Sequence, residues 1–139
     1  MPSSLIYNGF KSGLMEAAFN LNASNTIKVA LVNSLTPNAS SQAVWSDVSS
    51  TEVSGTGYTA GGQTITTAVS VTGTTAYFTL SADVTWSSST ITATGAVIYD
   101  STASNKLIAY VDFGGSQSSS NGNFTVSWSS QSYQIISLS

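Results

Sequence analysis

Apolar and polar residues alternate along most of the chain in short runs that end at Gly, Asn, Ser or Pro. Runs of this length, rich in Val, Ile, Thr and aromatic residues, are typical of β-strands. Turn residues separate them at Gly73 and at Asn121-Gly122, and both positions predict hairpins. The predicted strands span residues 26–33, 43–53, 63–71, 75–80, 84–86, 91–99, 106–113, 123–128 and 133–138.

One segment has helical periodicity instead. Phe10, Leu14 and Ala17 recur at the spacing that places them on one face of a helix, and Asn8 precedes them as a capping residue. We therefore predict a helix over about 8–19. A helix this short is unstable alone in water, so its apolar face must be packed. It could cover its own β-domain or a neighbouring subunit, and we expect it to cover its own core.

These elements predict a mainly β fold with one domain over residues 1–139. We expect a single antiparallel β-sandwich, Ig-like or jelly-roll-like, of about eight or nine strands over 26–138 with the one N-terminal helix. Ser-rich turns are predicted at 87–89 and 114–122. Gly95 predicts a β-bulge or a close approach of backbone, within a strand whose Ile91, Val97 and Tyr99 should face one way. The glycine run at 55–62 predicts a turn with positive φ.

The composition is unusual in its charge. Charged residues make up only 6% of the chain, and Ser and Thr together supply roughly a third. Disorder does not follow, because Val, Ile and aromatic residues occur throughout. The net charge is −3, with three lysines and no arginine, so a nucleic-acid partner is not expected. No apolar run is long enough to span a bilayer, and the first residues do not resemble a signal peptide, so neither a membrane partner nor secretion is expected.

The sequence offers little material for catalysis. It contains no Cys and no His, which removes the usual zinc ligands and the commonest general base. Asp47 and Glu52 are close in sequence and could be imagined as a glycosidase pair. The other aspartates, Asp83, Asp100 and Asp112, are expected to cap turns at strand ends. The 55–62 run lacks the Gly-Lys-Ser/Thr ending of a phosphate loop. We therefore predict no catalytic residue, cofactor or metal, and no enzymatic activity.

Aromatic residues leave two interpretations open. They could form core or subunit contacts, or they could stack on sugars as a glycan-binding platform. The candidate interaction residues, which also include the apolar helix positions, are Phe10, Leu14, Trp45, Tyr58, Trp86 and Trp128.

Several segments together resemble a family of small structural proteins of tailed phages. The segments that carry the resemblance, in chain order, are Thr26-Ile-Lys-Val-Ala-Leu-Val32, Glu52-Val-Ser-Gly-Thr-Gly-Tyr-Thr-Ala-Gly-Gly62, Asp83-Val-Thr-Trp86, Val97-Ile98-Tyr99, Leu107-Ile-Ala-Tyr-Val-Asp-Phe-Gly114 and Asn121-Gly-Asn-Phe-Thr-Val126. The order and spacing agree from about Leu5 to Leu138. The family often carries Arg or Lys near the positions of Thr94 and Ser101, and this chain departs from it there. The resemblance implies a virion protein, assembled in the host cytoplasm, without catalytic residues.

Two functions are expected from these observations. The first is a capsid decoration or cement protein, present in repeated copies or as a homo-oligomer, that contacts the major capsid protein or other virion proteins. The alternative is a tail or fibre component that contacts host glycans through exposed aromatic residues. An uncharged Ser/Thr surface suits close packing against neighbouring subunits, because little charge has to be desolvated.

Overall fold

The computed structural model describes residues 3–21, 25–128 and 133–138. Within them the chain is mainly β, with one α-helix, ten strands and antiparallel pairing in every sheet. The helix α1 spans Asn8–Met15, and the strands are β1 (Ser3–Ile6), β2 (Ile27–Val32), β3 (Gln63–Ile65), β4 (Thr67–Thr72), β5 (Thr75–Leu80), β6 (Val84–Ser89), β7 (Thr92–Asp100), β8 (Lys106–Ser118), β9 (Gly122–Val126) and β10 (Gln134–Leu138).

A five-stranded sheet in the order β1-β8-β7-β2-β3 lies at the centre of the molecule. Ala96 and Ile98 of β7 point to one face of it, where they join a core shared with the other two sheets and α1. Val97 and Tyr99 point to the opposite face, where Val48 and Trp45 of the segment 33–62 cover them. Because both faces are buried, β7 has the nearly continuous apolar run of a doubly covered strand. The mainly β, sandwich-like fold expected from the sequence is confirmed.

Two chain segments, 84–100 and 106–126, each contribute one strand to the central sheet and then bend over it. β7 pairs with β8, and the same two chain segments continue as β6 and β9, which form a separate two-stranded sheet. The predicted turn at 87–89 is therefore wrong, because those residues lie in β6. The predicted loop at 114–122 is also wrong up to Ser118, where β8 ends. The bend is held by the fully buried Ser89, whose Oγ lies within hydrogen-bonding distance of the Trp86 carbonyl at 3.1 Å, the Gly122 carbonyl at 3.0 Å and the Ser119 hydroxyl at 2.8 Å.

The bulge predicted at Gly95 is confirmed. The register of β7 against β8 shifts between Ala93 and Gly95, and a Cβ at Gly95 would lie 2.6 Å from the Tyr110 ring. Two steps along β7, from Ala93 to Gly95, face five steps along β8, from Gln117 to Asp112, and the side-chain parity of β7 reverses at this irregularity. Ile91 therefore points into the core with Ala96 and Ile98, and the prediction that it shares a face with Val97 and Tyr99 is wrong.

Other strand predictions fail where long-range pairing decides the outcome. The segment 43–53 forms two short 3-10 turns rather than a strand, and only isolated bridges link it to the sheet. The segment 63–71 divides at Thr66 into β3 and β4, which belong to different sheets. Asn121-Gly122 does turn the chain, with Asn121 at φ 50°, but β9 pairs with β6 rather than with β8. The strand β1 was not predicted.

The helix is shorter than predicted and ends at Met15. Ala17 adopts φ 60°, its amide donates to the Leu14 carbonyl, and the Ala18 amide donates to the Gly13 carbonyl. This is a Schellman arrangement, which terminates a helix. Asn8 is the first helical residue rather than the cap. Phe10 is 1% exposed and packs edge-on against the Phe19 ring at 4.8 Å, so the expectation that the helix covers its own core is confirmed.

Candidate functional site

The three-stranded sheet, ordered β10-β5-β4, has one face on which apolar side chains predominate. The register places Val69 opposite Phe78 and Val71 opposite Ala76. It also places Ile136 opposite Phe78 and Leu138 opposite Ala76. Because strand side chains alternate between faces, these residues share one side of the sheet. We call this surface the apolar face; it consists of Val69, Val71, Ala76, Phe78, Ile136 and Leu138.

The apolar face starts in the core and continues into solvent. Phe78 is 4% exposed and belongs to the main core, together with Leu80 on the same strand. Further along the sheet Val69 is 46% exposed, Leu138 59% and Val71 70%. Single exposed apolar residues are ordinary on protein surfaces, but contiguous exposed patches mark interaction sites. The outer half of this face is such a patch.

A groove runs between the apolar face and the segment that contains α1. It has a volume of about 680 Å³. Leu14, Ala17, Phe19 and Leu21 form one wall, Val69, Ala76, Ile136 and Leu138 form the other, and the buried Phe10 and Phe78 also line it. Two of the candidates from the sequence, Phe10 and Leu14, are thus brought to this groove. Apolar lining of this kind binds by excluding water from both surfaces.

The groove is nearly free of charge. The described residues that line it include the polar Asn20 and Tyr77 but no Lys, Asp or Glu, and along the chain no charged residue lies between Glu52 and Asp83. The nitrogen Nζ of Lys106 lies 6.0 Å from the centroid of the Phe19 ring, a residue that lines the groove. A partner would therefore lose little charge hydration when it covers the apolar face.

Trp45 and Tyr58 lie away from the groove and have structural contacts. Trp45 is half-buried and stacks on Tyr99, with ring centroids 4.9 Å apart and planes 10° apart. The Tyr58 hydroxyl donates to Glu52 at 2.8 Å and accepts the Leu31 amide at 3.0 Å. Burial raises the pKa of Tyr58, and it also raises the pKa of Tyr99. These contacts fix the segment 33–62 against the central sheet.

Trp86 and Trp128 lie in the core, which corrects their assignment as surface contact residues. They are 2% and 1% exposed, and Trp86 packs between the rings of Tyr58 and Phe124. The amide of Trp128 donates to Asp83 at 3.0 Å. The open choice between core and sugar platform is therefore decided in favour of core for these two tryptophans.

The glycine run supports the fold, as predicted. Gly57 has φ 80°, and a Cβ there would lie 2.8 Å from the Ser89 Cα at the bend of β6. Gly62 has φ 81°, and a Cβ there would meet the Val29 carbonyl of β2. Gly61 donates its amide to Glu52 at 2.5 Å and accepts the Tyr99 hydroxyl at 2.6 Å.

The aspartates hold turns and strand connections. Asp100 is fully buried and accepts the amides of Thr102 and Ala103 and the side chain of Asn25. Asp112 accepts the Gly114 amide beside the bulge opposite Gly95. The expected structural role of Asp83, Asp100 and Asp112 is confirmed by these bonds.

Asp47 has the same kind of role. It accepts the amides of Ala43 and Val44, and these two hydrogen bonds lower its pKa. Among the described residues, no three acidic side chains lie close enough together to hold a metal ion. No helix in the described ranges has the length and apolar character needed to cross a membrane.

Sequence reasoning missed the outer residues of the apolar face. Val69 and Val71 alternate with polar residues and therefore look like core positions of a half-buried strand. The available signal was the lack of charge between Glu52 and Asp83, because a solvent-facing sheet normally carries charges that keep it soluble. Leu138 gave no comparable signal.

Comparisons of the chain with protein-family models, with curated proteins and with solved structures found no match.

Proposed function

We propose that the chain is a non-enzymatic structural protein of a bacteriophage virion, most simply a capsid decoration or cement protein. The observation that carries the proposal is the apolar face, which continues from the core into solvent at Val69, Val71 and Leu138. The resemblance to tailed-phage structural proteins supplies the setting. The partner is then the major capsid protein or another virion protein, and the chain is present in many copies.

The energetics of the apolar face suit repeated docking. Complete burial of a Val or Leu side chain is worth about 1.5–3 kcal/mol, and Val71 and Leu138 each keep more than half of their surface exposed. A few such residues give each copy a modest affinity. Many copies that bind the assembled shell but not its separated subunits would stabilise the shell by mass action.

The proposal is tested by changing the face where the fold does not depend on it. Leu138→Lys places a charge at a residue that is 59% exposed, so we expect normal folding but at least about tenfold weaker attachment to particles made without the chain. Met15→Lys is the matched control, because Met15 is 84% exposed and does not line the groove. Co-sedimentation with the particles measures both variants.

Equal attachment of the Leu138→Lys and wild-type proteins would contradict docking through the apolar face. Loss of attachment in Met15→Lys as well would show that any added charge has this effect. Antibody labelling of intact particles then separates the two locations on the virion. Labelling over the whole head supports a decoration protein, whereas labelling of the tail alone would replace it with a tail or fibre component.

A further inference from the structure

We infer that a second copy of this chain pairs with the free edge of β4, which no strand in the described part of the chain occupies, and brings the two apolar faces together. The inference deepens the proposed function by naming a partner for the sheet edge beside the apolar face. It rests on that function only for the dimer's role in the particle, since the pairing itself needs no virion.

The free edge of β4 presents its peptide groups at alternate residues. The Thr66 carbonyl accepts the Ser81 amide, and the Ala68 carbonyl accepts the Thr79 hydroxyl. The peptide groups of the even-numbered residues therefore point toward β5. Gly73 and Thr74 form a two-residue turn between the paired Thr72 and Thr75, which continues the same pattern. The odd-numbered peptide groups therefore point to the open edge, at Thr67, Val69 and Val71.

This edge lacks the features that prevent strands from pairing between molecules. Natural edge strands are protected by charges, prolines, bulges or short length. β4 pairs with β5 over six consecutive residues with no shift of register, and neither strand contains a charged residue or a proline. By comparison, β10 on the other side of the sheet has a register irregularity between Gln134 and Ile136, and β3 has only three residues.

A second copy is the partner that fits this edge. Like charges opposite one another destabilise strand pairs, but two copies of β4 bring no charge together. A two-fold axis at Val69 pairs Val69 with its own copy and Thr67 with Val71, so that each outward-pointing residue exchanges two hydrogen bonds with its opposite. The same register places the two Val69 side chains opposite each other and each Val71 opposite Thr67 of the other copy, on the side of the sheet that carries the apolar face. The result is a six-stranded sheet in which the two apolar faces lie next to each other on the same side.

Val69→Pro tests the pairing at the backbone. Proline is tolerated on an edge strand where the amide faces solvent, so the bonds between β4 and β5 should remain while the edge is blocked. We expect the wild-type protein to sediment as a dimer at about 0.1 mM, and Val69→Pro to sediment as a monomer with a similar melting temperature. If the proline variant does not fold, Val69→Lys replaces it, since Val69 is 46% exposed.

The position of the axis is tested with single cysteines, because the natural chain has none. A spin label on Val69→Cys should give one short distance between copies, and a label on the exposed Ser116→Cys should give a longer one. A wild-type monomer at the same concentration would overturn the inference. A dimer that persists in both Val69→Pro and Val69→Lys would also overturn it. So would a distance between labels that is shorter for Ser116→Cys than for Val69→Cys. Leu138→Lys leaves the β4 edge unchanged, so failure of the dimer and failure of particle attachment can be told apart.

Discussion

Gly62→Ala is expected to remove most of the soluble folded protein. Gly62 has φ 81°, a conformation that costs an L-residue roughly 1–2 kcal/mol. The added Cβ would also meet the Val29 carbonyl and lie 2.7 Å from the Ala30 Cα. Both residues belong to β2, which is held between β7 and β3 and cannot move without breaking their ladders. We expect a loss above about 4 kcal/mol, a large part of a typical domain's stability.

Gly61→Ala is the matched control for this substitution. Gly61 has φ 92°, so it carries a similar backbone strain, but the nearest atom to an added Cβ is the Tyr99 hydroxyl at 3.5 Å. We expect a loss of only about 1–2 kcal/mol. Urea unfolding of both variants measures the difference. Equal losses at the two positions would show that contact with β2 does not determine the need for glycine.

Above pH 10 the protein is expected to lose stability steeply. Burial raises the pKa of Tyr7 to about 12, and burial also raises the pKa of Tyr58, Tyr99 and Tyr110. Above pH 10 the unfolded chain releases these protons before the folded protein does, and for Tyr7 this interval extends to about pH 12. The unfolded state then binds fewer protons, so the free energy of unfolding falls as the pH rises, by up to about 1.4 kcal/mol per pH unit for each tyrosine. Below pH 10 the contribution is fully present.

Tyr7→Phe isolates the contribution of one tyrosine to the loss of stability at alkaline pH. Tyr7 is fully buried, and its hydroxyl has no hydrogen-bond partner among the residues that the structure describes. Removing an unsatisfied buried hydroxyl should raise the neutral-pH stability by about 1 kcal/mol and reduce the alkaline slope by the share of one tyrosine. Urea titrations at pH 7, 10 and 11.5 measure both effects. A slope that is unchanged in Tyr7→Phe would mean that Tyr7 does not contribute to alkaline unfolding.

Local patterns predicted the parts of the fold that local physics controls. The bulge at Gly95 and the turn at Gly73 follow from positions where a side chain or an ordinary φ does not fit. The helix around Phe10 follows from its spacing, although its end at Met15 depends on Ala17, a residue with no obvious preference for φ 60°. Strand partners depend on contacts far apart in sequence. This is why Asn121-Gly122 was assigned to the wrong hairpin.

The candidate site was less predictable than the fold. Phe10 and Leu14 were correctly singled out as apolar positions that need a contact, because a short amphipathic helix cannot exist alone. Trp86 and Trp128 were candidates only by residue type, and their burial depends on how β6 and β9 fold over the central sheet. Val69 and Val71 have the pattern of core residues, and only the tertiary structure reveals that no part of the described chain covers them.

We propose that the apolar face is an assembly surface in a phage particle, and a cryo-electron microscopy map of particles that contain the chain would test this proposal. We expect density for the domain at many equivalent sites on the head, with Val71 and Leu138 buried against a neighbouring protein. Domains attached through the opposite side of the central sheet, with these residues still facing solvent, would contradict it.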